Sequence, residues 1–369
     1  MGVCKGAARC IVEDNVISGC RDSISLIGDG GGNHIRRNTC TWNYIKSLDP
    51  NSRDHVQTWR RVKSQGFKDG RGIALTDHGD GNQVYENQVF DHWGGVQTVE
   101  DWGKDRPARG TKVFRNTITN ICDDGLEPTG CEVDSEWFEN RVFNAGQGIR
   151  MKNCSVGPAY FYRNVIHSSY DPPYRGPDKS SSWAGGRAIY FFVETPGRMY
   201  IYHNSFETGD GFVCGTTRAG TDGFPNTWIL NNIFSCRNFG RTRKMKWTAQ
   251  VHYNWCGGDA KEEPWMGVKN IIAPGPRIWD NEDKTFALPA GHPSLGAGLD
   301  LSKPFILAGV EHPALPGMAD YYKGGRVDMG ALQGVVKEAR GGAAPAAFER
   351  HIVADKLREF GEFVVEREK

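Results

Sequence analysis

The chain has 369 residues, a formal net charge of +1 and 38% hydrophobic residues, which is enough length for one elongated domain or two ordinary ones. The near-zero charge gives no electrostatic reason to expect a nucleic-acid partner or an anionic membrane surface, and no apolar run is long enough for a transmembrane helix. The 10 cysteines contain no CxxC pair, so we expect small buried side chains rather than zinc ligands or disulfides.

A short repeat runs along the chain from its first residues. Alternating apolar residues end in an asparagine, and most steps between these asparagines are roughly 23–29 residues long. In the one gap of double length, Ser64 within the segment 62–67 fills the asparagine position. The aligned asparagines are Asn15, Asn38, Asn87, Asn116, Asn140, Asn164, Asn204 and Asn231. We expect each to adopt a left-handed backbone conformation and to bond through its amide to its copy in the next coil.

A repeat of this length is too short for a strand–helix–strand unit but fits three strands and three turns in one coil. With these anchors, residues 10–236 resemble the pectate-lyase-like superfamily of right-handed parallel β-helix proteins. The resemblance implies an all-β fold, a single-stranded right-handed parallel β-helix of about nine or more coils. We place the coils in 1–236, a late coil and loop region that closes the helix in 237–342, and a C-terminal α-helix in 343–369, where apolar residues fall on one stripe.

A second register follows each asparagine and defines one face of the helix. Strand alternation puts Leu126 and Ile149 in the core and turns the next residue of each strand outward. Three columns result, and their members are Ser25, Gln57, Ala74, Gln97, Glu127, Arg150, Tyr190 and Val213; Trp59, Thr76, Val99, Thr129, Lys152 and Phe192; and Asp22, Asp54, Arg71, Asp124, Gln147, Arg187 and Asp210. Exposed aromatic rings beside paired charges fit a sugar-binding groove, although a merely solvated face is the alternative.

The densest set of reactive groups on this face is Asp123, Asp124 and Glu127, followed one coil later by Arg150 and Lys152. Glycoside hydrolysis needs two carboxyl groups, and we expect Asp124 and Glu127 to lie at the inverting separation of roughly 6.5–9.5 Å. We expect Arg150 to keep Glu127 ionised and Asp123 to raise one pKa of the aspartate pair. The predicted catalytic residues are Asp123, Asp124, Glu127 and Arg150, and the predicted substrate-binding residues are Lys152, Arg187, Tyr190, Phe192, Gln97, Gln57, Trp59 and Arg71.

The same segment resembles two families of β-helix enzymes. The adjacent aspartates and the Arg-x-Lys pair resemble polygalacturonases, which implies catalysis by Asp123 and Asp124 and substrate binding by Arg150 and Lys152. Glu127 and Arg150 also resemble the alginate lyase and chondroitinase B group. That resemblance implies a calcium ion held by Asp123, Asp124 and Glu127, with Arg150 in proton transfer.

Three functions therefore stay open. A glycoside hydrolase acting on a polysaccharide through paired carboxylates is slightly favoured, and it needs no cofactor. A calcium-dependent lyase acting on a uronic-acid polymer and a non-catalytic glycan-binding or surface-structural β-helix are the alternatives. In each case we expect a polysaccharide or oligosaccharide partner and an extracellular or periplasmic location, with the export signal absent from this chain. The oligomeric state is open.

Overall fold

The protein is described here from a computed structural model. The structure describes residues 2–3, 6–28, 30–42, 70–99, 107–130, 132–152, 154–167, 186–191, 197–214, 224–242, 249–258, 266–272, 279–280, 285–286, 288, 291–322 and 327–331. Within these ranges the regular elements are β-strands, and no α-helix is present. The all-β prediction is therefore confirmed for this part of the chain. The C-terminal helix predicted over 343–369 lies outside the described residues.

The first half of the chain contributes sixteen of the strands. In chain order they are β1 (Gly2–Val3), β2 (Ile11–Glu13), β3 (Val16–Ser18), β4 (Ile24–Ile27), β5 (His34–Arg36), β6 (Thr39–Thr41), β7 (Arg71–Thr76), β8 (Gln83–Tyr85), β9 (Gln88–His92), β10 (Gly94–Val99), β11 (Lys112–Phe114), β12 (Thr117–Glu127), β13 (Ser135–Phe138), β14 (Arg141–Met151), β15 (Ala159–Tyr162) and β16 (Val165–His167). The remaining strands are β17 (Arg187–Phe191), β18 (Met199–Tyr202), β19 (Ser205–Cys214), β20 (Thr227–Leu230), β21 (Ile233–Thr242), β22 (Gln250–His252), β23 (Trp255–Gly258), β24 (Ile271–Ile272), β25 (Trp279–Asp280), β26 (Thr285–Phe286), β27 (Phe305–Leu307) and β28 (Val310–His312).

Strands β1 to β24 stack in three parallel ladders, whereas β25–β26 and β27–β28 form separate antiparallel pairs. The outer ladder is the 9-stranded sheet β2-β5-β8-β11-β13-β15-β18-β20-β22. The other two ladders share one sheet, because the long strands β12 and β14 bend from one ladder into the next. Every pairing among the coils is parallel, and the core residues Val96, Leu126, Ile149 and Ile189 lie in register above one another. This is the arrangement of a parallel β-helix; the number of coils stays a prediction.

The ladder that we call the face ladder carries the candidate site. It runs through β1, β4, β7 and β10, the second halves of β12 and β14, β17, and the second halves of β19 and β21. The inward side chains Leu126 and Ile149 are fully buried. Gly125 allows this close packing, since a Cβ there would lie 2.5 Å from Val142 Cγ1. In the outward column, Gln97 pairs with Glu127 and Arg150 with Tyr190, as predicted.

Stacked asparagines bind the coils together at one corner. Asn116 donates from its backbone N and from its side-chain Nδ2 to Asn140 Oδ1, at 3.1 and 3.0 Å, which confirms the predicted bonding between copies. The pattern repeats through Asn15, Asn38, Asn87, Asn116, Asn140, Asn164, Asn204, Asn232, Asn254 and Asn270. The ladder thus reaches further along the chain than the sequence pattern indicates.

Two details of the asparagine prediction are wrong. The left-handed residue is the one before each asparagine, as at Arg115 with φ 54° and Glu139 with φ 55°. Asn231 is such a left-handed residue, with φ 53°, and Asn232 occupies the ladder. The left-handed residue turns the chain, so the asparagine after it points its amide inward to the stack.

The predicted coil through Ser64 is also wrong. Asn38 N donates directly to Asn87 Oδ1 at 3.0 Å, and Ser25 pairs directly with Ala74. Neighbouring strands are about 4.8 Å apart, so no coil fits between these pairs. The outward column therefore passes directly from Ser25 to Ala74; the predicted members Gln57 and Trp59, and Ser64, lie outside the described residues.

The late part of the chain both extends and covers the helix. Strands β22, β23 and β24 continue the ladders past residue 236, and a segment over 299–322 packs on the aromatic side chains of the outer ladder. Tyr202 donates from its hydroxyl to Pro316 O at 2.9 Å, and Tyr322 lies 3.0 Å from His203 Nε2. The division of the chain at 236 and 342 stays a prediction. The cysteines Cys40, Cys122, Cys154, Cys236 and Cys256 are buried thiols, whereas the thiols of Cys10 and Cys20 are partly exposed.

Replacing Asn140 by Ala is expected to lower the free energy of unfolding by about 2–4 kcal/mol. The change leaves two buried donors of Asn116 without their acceptor and removes the bonds from Asn140 Nδ2 to Val113 O and Asn164 Oδ1. Urea unfolding of the variant measures this loss. Asn15→Ala, at the partly exposed end of the ladder, is the matched control. Equal losses for the two variants would contradict the stacked network.

Candidate active site

A bulge in β12 places two adjacent aspartates on the same side of the sheet. Ile121 pairs with Ala145 and Asp124 with Gln147, so β12 has one more residue than β14 between these two pairs. In a regular strand neighbouring side chains point to opposite faces. The extra residue re-aims the backbone, so that both Asp123 and Asp124 turn toward the next coil.

Three carboxyl groups converge on one guanidinium group in that coil. Arg150 Nη1 lies 2.7 Å from Asp124 Oδ2, 3.4 Å from Glu127 Oε1 and 4.0 Å from Asp123 Oδ2. Arg150 donates a hydrogen bond to Asp124. We call Asp123, Asp124, Glu127 and Arg150 the carboxylate cluster. The sequence register predicts this contact between residues of successive coils, and it is confirmed.

The electrostatics of the cluster differ from the sequence prediction. Burial raises the pKa of Glu127 to about 8, with the negative charge of Asp124 adding to the effect and the charge of Arg150 opposing it. Burial also raises the pKa of Asp124, against the opposing charges of Arg150, Arg187 and Lys152. The prediction that Arg150 holds Glu127 ionised is therefore wrong, because one guanidinium group does not offset desolvation and a neighbouring carboxylate together. Glu127 carries a proton at neutral pH.

The carboxyl groups of the cluster lie close enough to act on one bond. Asp124 Oδ2 and Glu127 Oε1 share Arg150 Nη1 as a neighbour, so these two oxygen atoms are at most about 6 Å apart. Asp123 Oδ2 and Glu127 Oε1 are at most about 7.5 Å apart by the same reasoning. These limits admit both the retaining and the inverting separations of carboxyl groups, and the predicted inverting separation stays a prediction.

The side chains of the carboxylate cluster differ in how far they are exposed to solvent. The side chain of Asp124 is only 2% exposed, whereas those of Asp123 and Glu127 are each 13% exposed and that of Arg150 is 16% exposed. The outward residues Gln97 and Arg187 are buried as well. Gln97 and Arg187, which the sequence places on the outward face, are therefore covered by the fold, and Asp123, Glu127 and Arg150 are the groups of the cluster that reach solvent.

The structure brings several predicted substrate-binding residues next to the cluster. Gln97 is the ladder partner of Glu127, and Tyr190 is the ladder partner of Arg150. The guanidinium group of Arg187 lies 4.6 Å from the centre of the Tyr190 ring, a cation–π contact that fixes both side chains. The positive charge of Arg71 lowers the pKa of Glu127, so Arg71 lies near the Glu127 carboxyl group. Lys152 pairs with Thr129 in the last row of the face, and Phe192 lies outside the described residues.

Unsatisfied oxygen atoms surround the cluster, and one belongs to a residue that sequence reasoning did not assign to the site. Gln97 Oε1, Asp124 Oδ1 and Gln147 Oε1 are buried and have no hydrogen-bond partner among the described residues. Gln147 is the ladder partner of Asp124. Buried acceptors without donors are costly, so these atoms are candidates to bind buried water. Gln147 belongs to the third predicted column of the face, but a glutamine at that position does not by itself indicate a functional role.

The carboxylates do not fit the calcium site that the lyase resemblance implies. Among the described residues, no group of three or more His, Cys, Asp or Glu side chains is arranged to hold a metal ion. Arg150 Nη1 lies between Asp124 and Glu127, where a calcium ion would have to bind. A guanidinium group and a divalent cation at one position repel each other strongly.

The raised pKa of Glu127 predicts a pH-dependent contribution to stability. Its pKa rises from an ordinary value of 4.5 to about 8 in the folded protein, so the folded state binds more protons between these values. The stabilisation is complete below pH 4.5 and is lost as pH rises toward 8, with a slope of at most about 1.4 kcal/mol per pH unit. Urea unfolding of the wild type and Glu127→Gln measures it. The wild type minus variant difference should fall across this window; a constant or rising difference would contradict the assignment.

Comparison with known proteins identifies no family. No family model matches the chain, and no curated protein matches its sequence. Among solved structures, one similar chain is described as "The complex structure of XylC with xylose", with 11% sequence identity and a TM-score of 0.34. The match covers 60% of this chain and 36% of that chain. A likeness this weak says nothing about what the present chain binds. Within the described residues, no helix has the length and hydropathy needed to cross a membrane.

Proposed function

We propose that the protein cleaves glycosidic bonds of a polysaccharide as a glycoside hydrolase, outside the cytoplasm in an extracellular or periplasmic location. The observation that carries the proposal is a carboxyl group with a raised pKa beside a second carboxyl group that reaches solvent. The pKa of Glu127 is raised to about 8, and Asp123 lies beside the same guanidinium group of Arg150 as Glu127 does. A protonated carboxyl group next to a second one supplies the acid and the base or nucleophile of glycoside hydrolysis.

The proposed roles follow from exposure and from contacts. Glu127 protonates the oxygen of the leaving group as the general acid. Asp123, which reaches solvent, attacks the anomeric carbon or activates a water molecule for that attack. Asp124 is almost fully buried and is hydrogen-bonded to Arg150, so it positions the guanidinium group rather than contacting substrate. This replaces the pairing of Asp124 with Glu127 that the sequence favours.

Residues around the cluster supply the substrate contacts in this proposal. The Tyr190 ring is fixed by Arg187 and packs against a sugar ring. Gln97 and Gln147 are buried as Asp124 is, so we assign them no direct contact with the substrate. Lys152 and Arg71 add positive charge near the acidic cluster, which suits a substrate with some negative charge.

A screen on neutral and uronic polysaccharides tests the proposal. New reducing ends without unsaturated products, measured by ultraviolet absorbance, indicate hydrolysis. Unsaturated uronate products indicate the lyase alternative, and its dependence on calcium is measured by adding a chelator. The double variant Asp123→Asn, Glu127→Gln controls for contaminating activity. Binding of a polysaccharide without either product indicates the non-catalytic alternative and contradicts the proposed hydrolase.

A further inference from the structure

A pocket lies on a different face of the helix from the carboxylate cluster. Strands of the outer ladder and the β27–β28 hairpin form it, and its lining includes Arg198, Asn226, Trp228, Gln250, Val310 and His312. Trp228 and His312 are buried and form the floor. Arg198, Asn226 and Val310 are exposed and form the rim. The pocket is therefore open to solvent above a floor of two aromatic rings.

Hydrogen bonds around His312 determine what the floor presents to a ligand. His312 Nδ1 lies 3.1 Å from the Tyr200 hydroxyl. Burial raises the pKa of Tyr200, against the charge and the hydrogen bond of Arg198, so the Tyr200 oxygen accepts from Arg198 and is also hydrogen-bonded to His312 Nδ1. His312 Nε2 is buried and has no partner among the described residues. Burial and the charge of Arg198 lower the pKa of His312, so the ring is neutral at neutral pH.

The amide of Gln250 is oriented by a similar chain of hydrogen bonds. Val268 N donates to His252 Nδ1 at 2.9 Å, which leaves the ring proton of His252 on Nε2. His252 Nε2 lies 3.3 Å from Gln250 Oε1 and donates to it. The carbonyl oxygen of Gln250 therefore already accepts a hydrogen bond, and its NH₂ group is available to donate to a ligand in the pocket.

We propose that this pocket binds the carboxylate group of a small organic acid. Among the described residues that line it, Arg198 supplies a guanidinium group and Gln250 an NH₂ group, both hydrogen-bond donors, Asn226 supplies an amide, and none carries a carboxylate. A planar carboxylate matches the fork of one arginine, whereas a phosphate dianion would need more positive charge. Trp228 and Val310 supply an apolar surface for the body of the ligand.

Isothermal titration of the full chain with D-glucuronate, benzoate and glucose tests this site. We expect at least one carboxylate to bind with a dissociation constant of about 1 mM, a scale typical of ligands this small, and glucose not to bind at this site. Binding of glucuronate alone indicates that the ligand is a sugar acid, and binding of benzoate alone indicates that it is an aromatic acid. Failure of both carboxylates to bind saturably would overturn the proposal.

Matched variants separate this site from the carboxylate cluster. Arg198→Gln and Gln250→Ala are each expected to weaken carboxylate binding at least about tenfold. Lys303→Gln removes the same charge from an exposed residue outside the pocket lining and should leave binding unchanged. Wild-type affinity in Arg198→Gln would also overturn the proposal. Polysaccharide cleavage should be unaffected by all three variants. Failure of the carboxylate-binding proposal is therefore distinguished from failure of the proposed hydrolase activity.

Discussion

Replacement of Glu127 by Gln is expected to lower the turnover of the cleaved polysaccharide by about 10²–10⁴-fold, since the variant lacks the proton of the general acid. Glu127 is the carboxyl group of the cluster whose pKa is about 8, so the wild-type rate should fall as pH rises above that value. The reducing-sugar assay over a pH series measures both effects. The fall at alkaline pH should be absent from the residual activity of the variant.

Glu139→Gln is the matched control for this substitution. Glu139 pairs with Arg115 and Arg163 at the turns that follow the outer-ladder strands, away from the cluster, so the same chemical change there should leave turnover unchanged. Full activity in Glu127→Gln, or an equal loss in Glu139→Gln, would remove Glu127 from the acid role. A loss of activity in Asp123→Asn greater than that in Asp124→Asn would support the proposed division between a reacting and a positioning aspartate.

The repeat of the sequence was sufficient to predict which residues of successive coils become neighbours. The contact of Glu127 with Arg150 and the pairing of Asp124 with Gln147 follow from counting along each coil. Such counting works because every coil must return to the same core position in order to bury its inward side chain. It fails where the chain leaves the coil, as between Asn38 and Asn87, because a segment of suitable length and composition resembles a coil whether or not it pairs.

Predictions that misplace a residue by one position are wrong for a different reason. Asn231 and Asn232 are adjacent, and asparagine suits both the left-handed turn and the ladder position that follows it. The sequence therefore gives two equally good alignments, and only the preceding coils, with Arg115 or Glu139 at the turn, distinguish them. The bulge in β12 is likewise invisible in the sequence, because the pattern does not show where an extra residue is accommodated.

The charge state of the site could not be obtained from neighbours alone. Pairing of Glu127 with Arg150 predicts a lowered pKa, but the degree of burial reverses the sign of the shift. Burial depends on how much of each outward side chain is covered by the rest of the fold, which the repeat does not encode. The proposed acid role thus depends on a tertiary property.

Removal of the guanidinium group in Arg150→Met is expected to lower the free energy of unfolding at neutral pH by about 3–5 kcal/mol, because it leaves buried carboxylates without their countercharge. Protonation of those carboxylates relieves the repulsion, so the loss measured by urea unfolding should be smaller at pH 5 than at pH 8. Arg115→Met is the matched control: its pair with Glu139 is equally short, at 2.7 Å, but the Arg115 side chain is 57% exposed, and exposed pairs contribute about 1 kcal/mol or less. A pH-independent loss in Arg150→Met, or one no larger than that in Arg115→Met, would mean that Arg150 does not hold the cluster together. Because Asp123 and Glu127 both depend on this one cation for their arrangement, the same variant should also lose cleavage activity at pH values where it remains folded.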